Sequence, residues 1–571
     1  MRTRILPAGL WAISLVIAGS FAQTSNEMLP QGGGAKAHPQ TNTAGGNEDC
    51  ASCHSEIYKS YGNTAMAKAS GLAADGVVSG GFDDKDSGVR YRVYEQDGRV
   101  WMSYEREGKG GTRGQRELLY FIGSGEKGRT FLFSDDGFWF EAPINWYSQE
   151  HRWNMTPAYT GAQEIPMNLP AYPSCLTCHT SRMQAPIAGT ENKFLGKPFL
   201  HAGITCERCH GADIEHAGAK GTGAFVSGAL SSIVNPAKLP AQQRDGICME
   251  CHFEGTVAVE QPGRHLYEFQ PGERLSDYVH YFLMTENTEQ QKPRALSQFE
   301  ALSLSACKKK SGDKMWCGSC HDPHADPAEA ERATYYRAKC LACHGEEFAA
   351  KHHADKQDCV GCHMPELPSK DVAHTETTDH RILRYPNQAP LPQLQIRGQR
   401  LKSFPPGDDS LTTTRDLALA WETLAERGVD GAEHEAEQYL QKAVRERPAD
   451  ARLLAVLGLV EQRHFHENDA RELYERALKM DPLLVDAATN LGVLDARGGN
   501  LPRAVKLWQG AFARAPYRSA IGMNLAMVFC AAGQKDVAKN FVERVLEFNP
   551  DYAKGKSLQR HLAEENGPCR P

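Results

Sequence analysis

Hydrophobic and polar positions follow different rules in different parts of this chain. Val89, Tyr91 and Val93 alternate with polar residues, Asp97-Gly98 interrupts, and Val100, Met102 and Tyr104 alternate again. A period of two puts every second side chain on one face, and Asp-Gly supplies a tight turn, so the pattern predicts a β-hairpin. Leu118–Ile122, Thr130–Phe133 and Phe138–Phe140 follow as short apolar runs divided by glycine. Together they predict a small antiparallel insert over about residues 85–145. Gly123-Ser-Gly125-Glu-Lys-Gly128 inside it matches a dinucleotide fingerprint. That fingerprint needs a helix opening at its glycines, whereas a second strand follows here, so a hairpin turn is expected.

The C-terminal third reads as helical. Its composition turns to Ala, Leu, Glu and Arg, and self-similarity appears at 34 residues: Pro448, Pro482, Pro516 and Pro550; Ala436, Ala470, Ala504 and Ala538; Ala443, Ala477 and Ala511; Gly458 and Gly492. Small residues at this period let paired helices approach closely, and proline ends the second helix of each pair. This is the tetratricopeptide signature, and it predicts four repeats over about 417–552 with Tyr552–Pro571 as a cap. Such stacks form an α-solenoid whose concave face takes peptides or protein segments. The repeat domain is placed at 411–571, after a Pro-rich linker over 385–410.

The N-terminus follows a third rule. Arg2 and Arg4 precede an apolar run from Ile5 to Ala18, then Ser20-Phe21-Ala22 ahead of Gln23. This predicts a signal peptide over 1–22, with an uncleaved anchor as the alternative, and so a periplasmic or extracellular protein. Residues 23–48, rich in Gly, Gln, Asn, Thr and Ala, read as a disordered spacer. No other segment is apolar enough to cross a bilayer, so the mature chain should carry no transmembrane span. The formal net charge is −7. Lys308-Lys309-Lys310 is the only tight basic run, which argues against nucleic acid; as a docking point for an acidic partner it is weaker than as a solvated loop.

Chemistry enters with the cysteines. Seven Cys-x-x-Cys-His pentapeptides occur: Cys50, Cys53, His54; Cys175, Cys178, His179; Cys206, Cys209, His210; Cys248, Cys251, His252; Cys317, Cys320, His321; Cys340, Cys343, His344; and Cys359, Cys362, His363. Random placement would give roughly 0.02 of them. The two thiols add across the vinyl groups of a haem, and the histidine ligates the iron as proximal ligand. A zinc ribbon would not need His after every second Cys. Seven covalent c-type haems are therefore expected in a domain over 49–384, one per ~45 residues. Porphyrins must then supply much of the buried apolar surface, and short helices and long loops should wrap them. Cys307, Cys530 and Cys569 stand outside the motifs, an odd number that permits one disulfide.

Seven irons need up to seven distal ligands. Eleven further histidines precede the repeats, namely His38, His151, His201, His216, His265, His280, His324, His352, His353, His374 and His380. Bis-His ligation throughout is thus possible, and it suits outer-sphere electron transfer. His324 follows His321 by three residues and His216 follows His210 by six, too close to reach the opposite face of the same porphyrin. As ligands both would serve neighbouring haems and hold them in pairs. His374 and His380, which flank a Thr-Glu-Thr-Thr-Asp segment after the last motif, are favoured as distal ligands, and His201 is a further candidate. For the isolated first haem Met66 is a candidate, against core packing or an open position; methionine would raise the potential.

These motifs resemble a known family. Cys50-x-x-Cys-His-x-x-x-Tyr58 with Tyr61 and Met66, Trp146-Tyr147 with Trp153-x-Met155, Cys206-Glu-x-Cys-His-Gly211 with His216, Cys317-x-x-Cys-His-Asp-Pro-His324, and Cys359-x-x-Cys-His-Met-Pro365 with Thr378-Asp-His-Arg-Ile382 carry the likeness. They look like bacterial multihaem c-type cytochromes fused to tetratricopeptide repeats, with a haem domain similar to the tetrahaem cytochrome that takes electrons from hydroxylamine oxidoreductase. The resemblance implies periplasmic electron transfer to or from a redox partner protein. No Cys-x-x-Cys-Lys motif of the pentahaem nitrite reductases occurs. The expected fold is mainly α: a loop-rich multihaem domain with a β insert, then a solenoid. The expected role is electron carriage with docking through the repeats. The alternative is an oxidoreductase acting on a small nitrogen or sulfur compound at one five-coordinate haem.

Overall fold

The computed structural model describes residues 47–108, 111–211, 233–285, 296–352, 358–366, 378–385, 400–404, 413–564 and 569. The signal peptide, nearly all of the spacer, most of the linker, His216 and His374 lie outside these residues.

Nine antiparallel strands run from Ser70 to Met155 in two sheets. One holds β2 (Gly80–Asp84), β3 (Val89–Gln96), β4 (Arg99–Arg106) and β5 (Thr112–Leu118) in sequential order. The other is ordered β1 (Ser70–Leu72), β6 (Tyr120–Ile122), β7 (Gly128–Asp135), β8 (Phe138–Tyr147) and β9 (Arg152–Met155). The β3–β4 hairpin turns through Asp97 and Gly98, both at positive φ (54° and 72°), as the Asp-Gly pair requires. Gly123–Gly128 joins β6 to β7, with Ile122 opposite Thr130, so the glycines make a strand-to-strand turn. Tyr91, Val93 and Met102 of the first sheet share a core with Phe131, Phe133, Phe140 and Ile144 of the second. The strands extend beyond 85–145 at both ends. Ser70–Leu72, Gly80–Asp84 and Arg152–Met155 are too short or too polar to show a clean alternation.

The haem-motif region is built of short pieces: α1 (Asn47–Ala51), α2 (Ser55–Tyr61), α3 (Pro173–His179), α4 (Glu207–His210), α5 (Ala241–His252), α6 (Gln298–Leu304), α7 (Ala306–Ser311), α8 (Arg332–His352, broken at Gly345) and α9 (Cys359–His363). Two small sheets brace it, β10 (Thr180–Met183) with β11 (Phe199–Ala202), and β12 (Val257–Glu260), β13 (Val279–Thr285) and β14 (Arg400–Phe404). β14 lies inside the segment read as a linker. Its proline punctuation hides a strand that pairs Phe404 with Tyr281.

The repeats are four antiparallel helix pairs and a final helix: α10 (Thr414–Glu426) with α11 (Ala432–Glu446), α12 (Ala451–Arg463) with α13 (Glu467–Met480), α14 (Val485–Arg497) with α15 (Leu501–Arg514), α16 (Ser519–Ala531) with α17 (Lys535–Phe548), then α18 (Ala553–Ala563). A Cβ added at Gly458 would stand 2.8 Å from the Tyr474 ring, and one at Gly492 would stand 2.4 Å from Trp508. The small residues are there because an aromatic ring of the partner helix fills the space. Cys530 and Cys569 form a disulfide that ties the C-terminus to α16, which leaves Cys307 as the odd thiol.

The solenoid is fastened to the haem region at both ends. Trp421 and Leu424 of α10 share a core with Val257, Val259 and Phe282 of the three-stranded sheet. At the other end Tyr517 and Phe548 enter the core of the β insert, with Phe548 5.2 Å from Phe140 ring to ring. Asp551 accepts from Arg106, from Thr112 (3.0 Å) and from Lys556 (2.9 Å). Among the described residues no helix is long and apolar enough to cross a membrane.

Candidate haem-binding centre

Each motif occupies about one turn of helix. The His54 N–H donates to Cys50 O (2.9 Å), His210 to Cys206 O (3.0 Å) and His321 to Cys317 O (2.9 Å). An i to i+4 closure sets cysteines i and i+3 and histidine i+4 on one face, the arrangement that two thioethers and an iron bond require. Where a helix would overrun the motif, the backbone stops it. Gly211 (φ 80°) follows His210, and Gly345 (φ 70°) follows His344.

The motifs also lie near one another. Cys206 interacts with Cys50, Cys209 with Cys251, Cys251 with Cys178, Cys248 with Cys317, Cys320 with Cys343, and Cys340 with Cys359. Read by first cysteine, the motifs at 50, 206, 248, 317, 340 and 359 form one unbroken line, and that at 175 joins at the fourth motif. Sequence order fails only for the motif at 175.

Among the described residues, three motif imidazoles face a second imidazole. The ring of His210 lies 6.0 Å from that of His324, His321 lies 6.2 Å from His380, and His363 lies 5.9 Å from His352, with planes within 11°, 25° and 26° of parallel. An iron bonded to two imidazole nitrogens at about 2 Å each separates ring centroids by about 6.2 Å. These pairs therefore have the span of an axial ligand set. Second contacts fix which nitrogen points inward. His210 Nδ1 meets Val234 O (2.9 Å), His363 Nδ1 meets Leu383 O (2.6 Å) and His380 Nδ1 meets Thr378 O (2.8 Å). A ring that donates from Nδ1 to a carbonyl keeps Nε2 as an acceptor for metal. Arg381, paired to buried Asp379, anchors the turn that carries His380.

Electrostatics agree. Burial, then the nearby His380, lowers the pKa of His252; burial, His380 and His252 lower that of His321. Both are held neutral, the form that ligates. Burial pushes the Cys206 thiol up to about 12, and burial with Glu141 beside it pushes Cys175 higher still. Burial also raises Glu141 to about 7. The buried Glu250 between Cys248 and Cys251 takes an ion pair from Arg208. The donor set thus fits covalent haem: sulfur pairs and an imidazole on one face, with facing imidazoles at iron-spanning distance.

Of the other candidate residues, His201 sits on β11 opposite Ser181, and Met66 is half-buried with its carbonyl bound by the Ile204 N–H. His265 and His280 point Nδ1 at carboxylates, Glu260 (3.0 Å) and Asp416 (2.8 Å), and neither has a motif imidazole against its ring among the described residues. His280 serves the junction with the repeats. Lys308 of the basic run turns onto Asp245 (3.3 Å). His352 was one unsorted histidine among eleven in the sequence. Its signal, four residues past Phe348 on a helix that already carries a motif, becomes legible only once α9 is seen beside it.

Comparison with known proteins agrees with this geometry. The family described as cytochrome c554 and c-prime matches residues 145–211, and the doubled CXXCH motif family matches residues 310–349. Each stretch holds two of the seven motifs. No curated protein matches the chain. Among solved structures the chain is similar to MamA from Desulfovibrio magneticus RS-1 (18% identity, 24% of this chain and 78% of that one, TM-score 0.21). It is also similar to a tetratricopeptide repeat protein from Parabacteroides merdae (18%, 26% and 58%, TM-score 0.23) and to pilF of Pseudomonas aeruginosa (24%, 24% and 63%, TM-score 0.22). Multihaem c-type cytochrome domains and tetratricopeptide-like repeats are joined in one chain.

Proposed function

We propose that this protein is an exported electron carrier that holds seven haems, one at each motif, in a line with a single branch. The carrying observation is that cysteines of one motif lie near those of the next from Cys50 to Cys359. When bound, haem supplies a one-electron iron couple. The chain's own residues do the rest. Cysteines of adjacent motifs would hold neighbouring haems close together. His324 would join His210 in holding one iron, His380 would join His321, and His352 would join His363. Closed axial positions suit transfer rather than substrate turnover.

The signal-like N-terminus puts the protein in the periplasm or outside the cell, where c-type haem is attached. The likeness to the partner of hydroxylamine oxidoreductase suggests a redox enzyme of nitrogen metabolism as donor. The test is electron paramagnetic resonance on the oxidised, haem-loaded protein, with its mass. Seven haem masses and low-spin signals alone support the carrier. A high-spin ferric signal that shifts with nitrite or hydroxylamine moves the reading to an oxidoreductase with one open iron.

A further inference from the structure

The turn between α12 and α13 differs from its sister turns in a way that packing does not explain. At spacings of 34, the other repeats place Gly431, Gly499 and Gly533 at this turn, with φ of 77°, 84° and 78°. The second repeat places Phe465 there, at φ 63° and 85% exposed. A residue with a Cβ is disfavoured in this conformation, and an exposed ring gains no burial to offset it. His464 and His466 flank it.

Beneath the turn, ligand atoms of Glu461, His466 and Asp469 all lie within 4.8 Å of one another. Glu461 Oε2 is 2.8 Å from His466 Nδ1, and the His466 N–H donates to Glu461 O at 2.9 Å. The Glu461 side chain is only 17% exposed. Charge balance is the second observation. The positions equivalent to Glu461 and Asp469 in the third repeat are Asp495 and Arg503, which form an ion pair at 3.4 Å. There a side chain brings the cation. In the second repeat both positions are acidic, and among the described residues no lysine or arginine pairs with either one. The first and fourth repeats hold Arg427, Ala432 and Glu435, and Phe529, Gln534 and Val537, at the three positions, so neither has the set.

We propose that Glu461, His466 and Asp469 bind a divalent cation of the zinc class, which takes the place that Arg503 occupies one repeat later. One imidazole and two carboxylates are a borderline donor set suited to zinc rather than to calcium or magnesium. Tetrahedral ligands about 2.1 Å from zinc stand about 3.4 Å apart, and the ligand atoms here lie within 4.8 Å of one another. His464, whose ring lies 6.1 Å from that of His466, is the protein group at hand for the fourth position. The ion would fasten the start of α13 to the end of α12 on the solenoid edge remote from the turns at Leu483, Tyr517 and Asp551 that meet the cytochrome region.

The test uses the haem-loaded full chain, equilibrated with micromolar zinc and dialysed, with zinc and iron counted by mass spectrometry. Wild type should retain one zinc per chain that Glu461→Gln and His466→Gln each lose, through affinity lowered at least about tenfold, at unchanged haem content and helicity. No retained zinc in wild type, or equal zinc in wild type and variants, overturns the proposal. Should a variant fail to fold, wild type loaded with copper(II) decides the matter. Its resonance spectrum should show nitrogen coupling from imidazole at this site, and an all-oxygen signature overturns it.

Discussion

Replacing His324 with alanine is the sharpest probe of the ligand pairs. His324 lies three residues past His321 in sequence, yet its ring faces His210 at 6.0 Å. The His321 ring is matched instead to His380, at 6.2 Å. If His324 closes the iron of His210, its loss opens that iron alone. Attachment through Cys206 and Cys209 is untouched, so haem content by pyridine haemochrome should stay the same. With all seven motifs loaded as proposed, one iron in seven, about 14% of the low-spin ferric signal, should convert to high spin. His380→Ala and His352→Ala should each convert one more. The pairs share no residue, so a double variant should convert two, since independent sites add. His265→Ala and His280→Ala are the controls, because among the described residues neither ring faces a motif imidazole, and their Nδ1 atoms meet Glu260 and Asp416. Both should leave the spin state unchanged. A fully low-spin His324→Ala protein, or a high-spin signal from either control, refutes the reasoning.

Other changes test the frame. Phe548→Ala empties a buried contact with Phe140 and Tyr517, and should cost about 3–5 kcal/mol by chemical denaturation; under about 1 kcal/mol would mean that the repeats do not lean on the β insert. Cys530→Ser opens a disulfide spanning 39 residues and should cost about 2–4 kcal/mol, read as a lower denaturation midpoint that reductant no longer moves. Burial raises the Glu141 pKa from 4.5 to about 7, so its protonated form is favoured in the folded chain. That stabilisation is full below about pH 4.5 and is lost as pH rises through about 7, up to about 3 kcal/mol in all. Glu141→Gln should flatten the fall in stability between pH 5 and 8, and parallel pH profiles in the two proteins would refute it.

The haem motifs and the 34-residue period were legible because each is a local rule. Five consecutive residues close one helical turn, and one small residue per helix crossing recurs at a fixed interval. The hairpin at Asp97-Gly98 was legible for the same reason. The outer strands β1, β2 and β9 were not, because their side chains are fixed by a neighbouring sheet rather than by their own alternation. β14 was masked by the prolines around it. The spacing argument on His324 followed from reach alone, whereas which haem it faces depends on how the segments near 210 and 324 fold together. His352 shows the limit. Nothing in its own neighbourhood separates it from ten other histidines, and only α9 alongside gives it a partner.

The repeat period also explains how the two halves meet. Leu483 lies against Gly189, Tyr517 donates to Glu191 (2.8 Å), and Asp551 takes Arg106 and Thr112. These three solenoid residues are 34 apart. Each successive repeat therefore offers the same turn to the cytochrome region, and the periodicity that stacks the helices also sets the spacing of the contacts. Adding or removing one repeat would keep the stack intact yet break the fit at the far end, where Phe548 fills the β insert. The solenoid is thus a brace on its own chain along one edge. Whatever docks on it must use the surfaces that edge leaves open. The opposite edge carries the turns at Gly431, Phe465, Gly499 and Gly533, which make none of these three contacts.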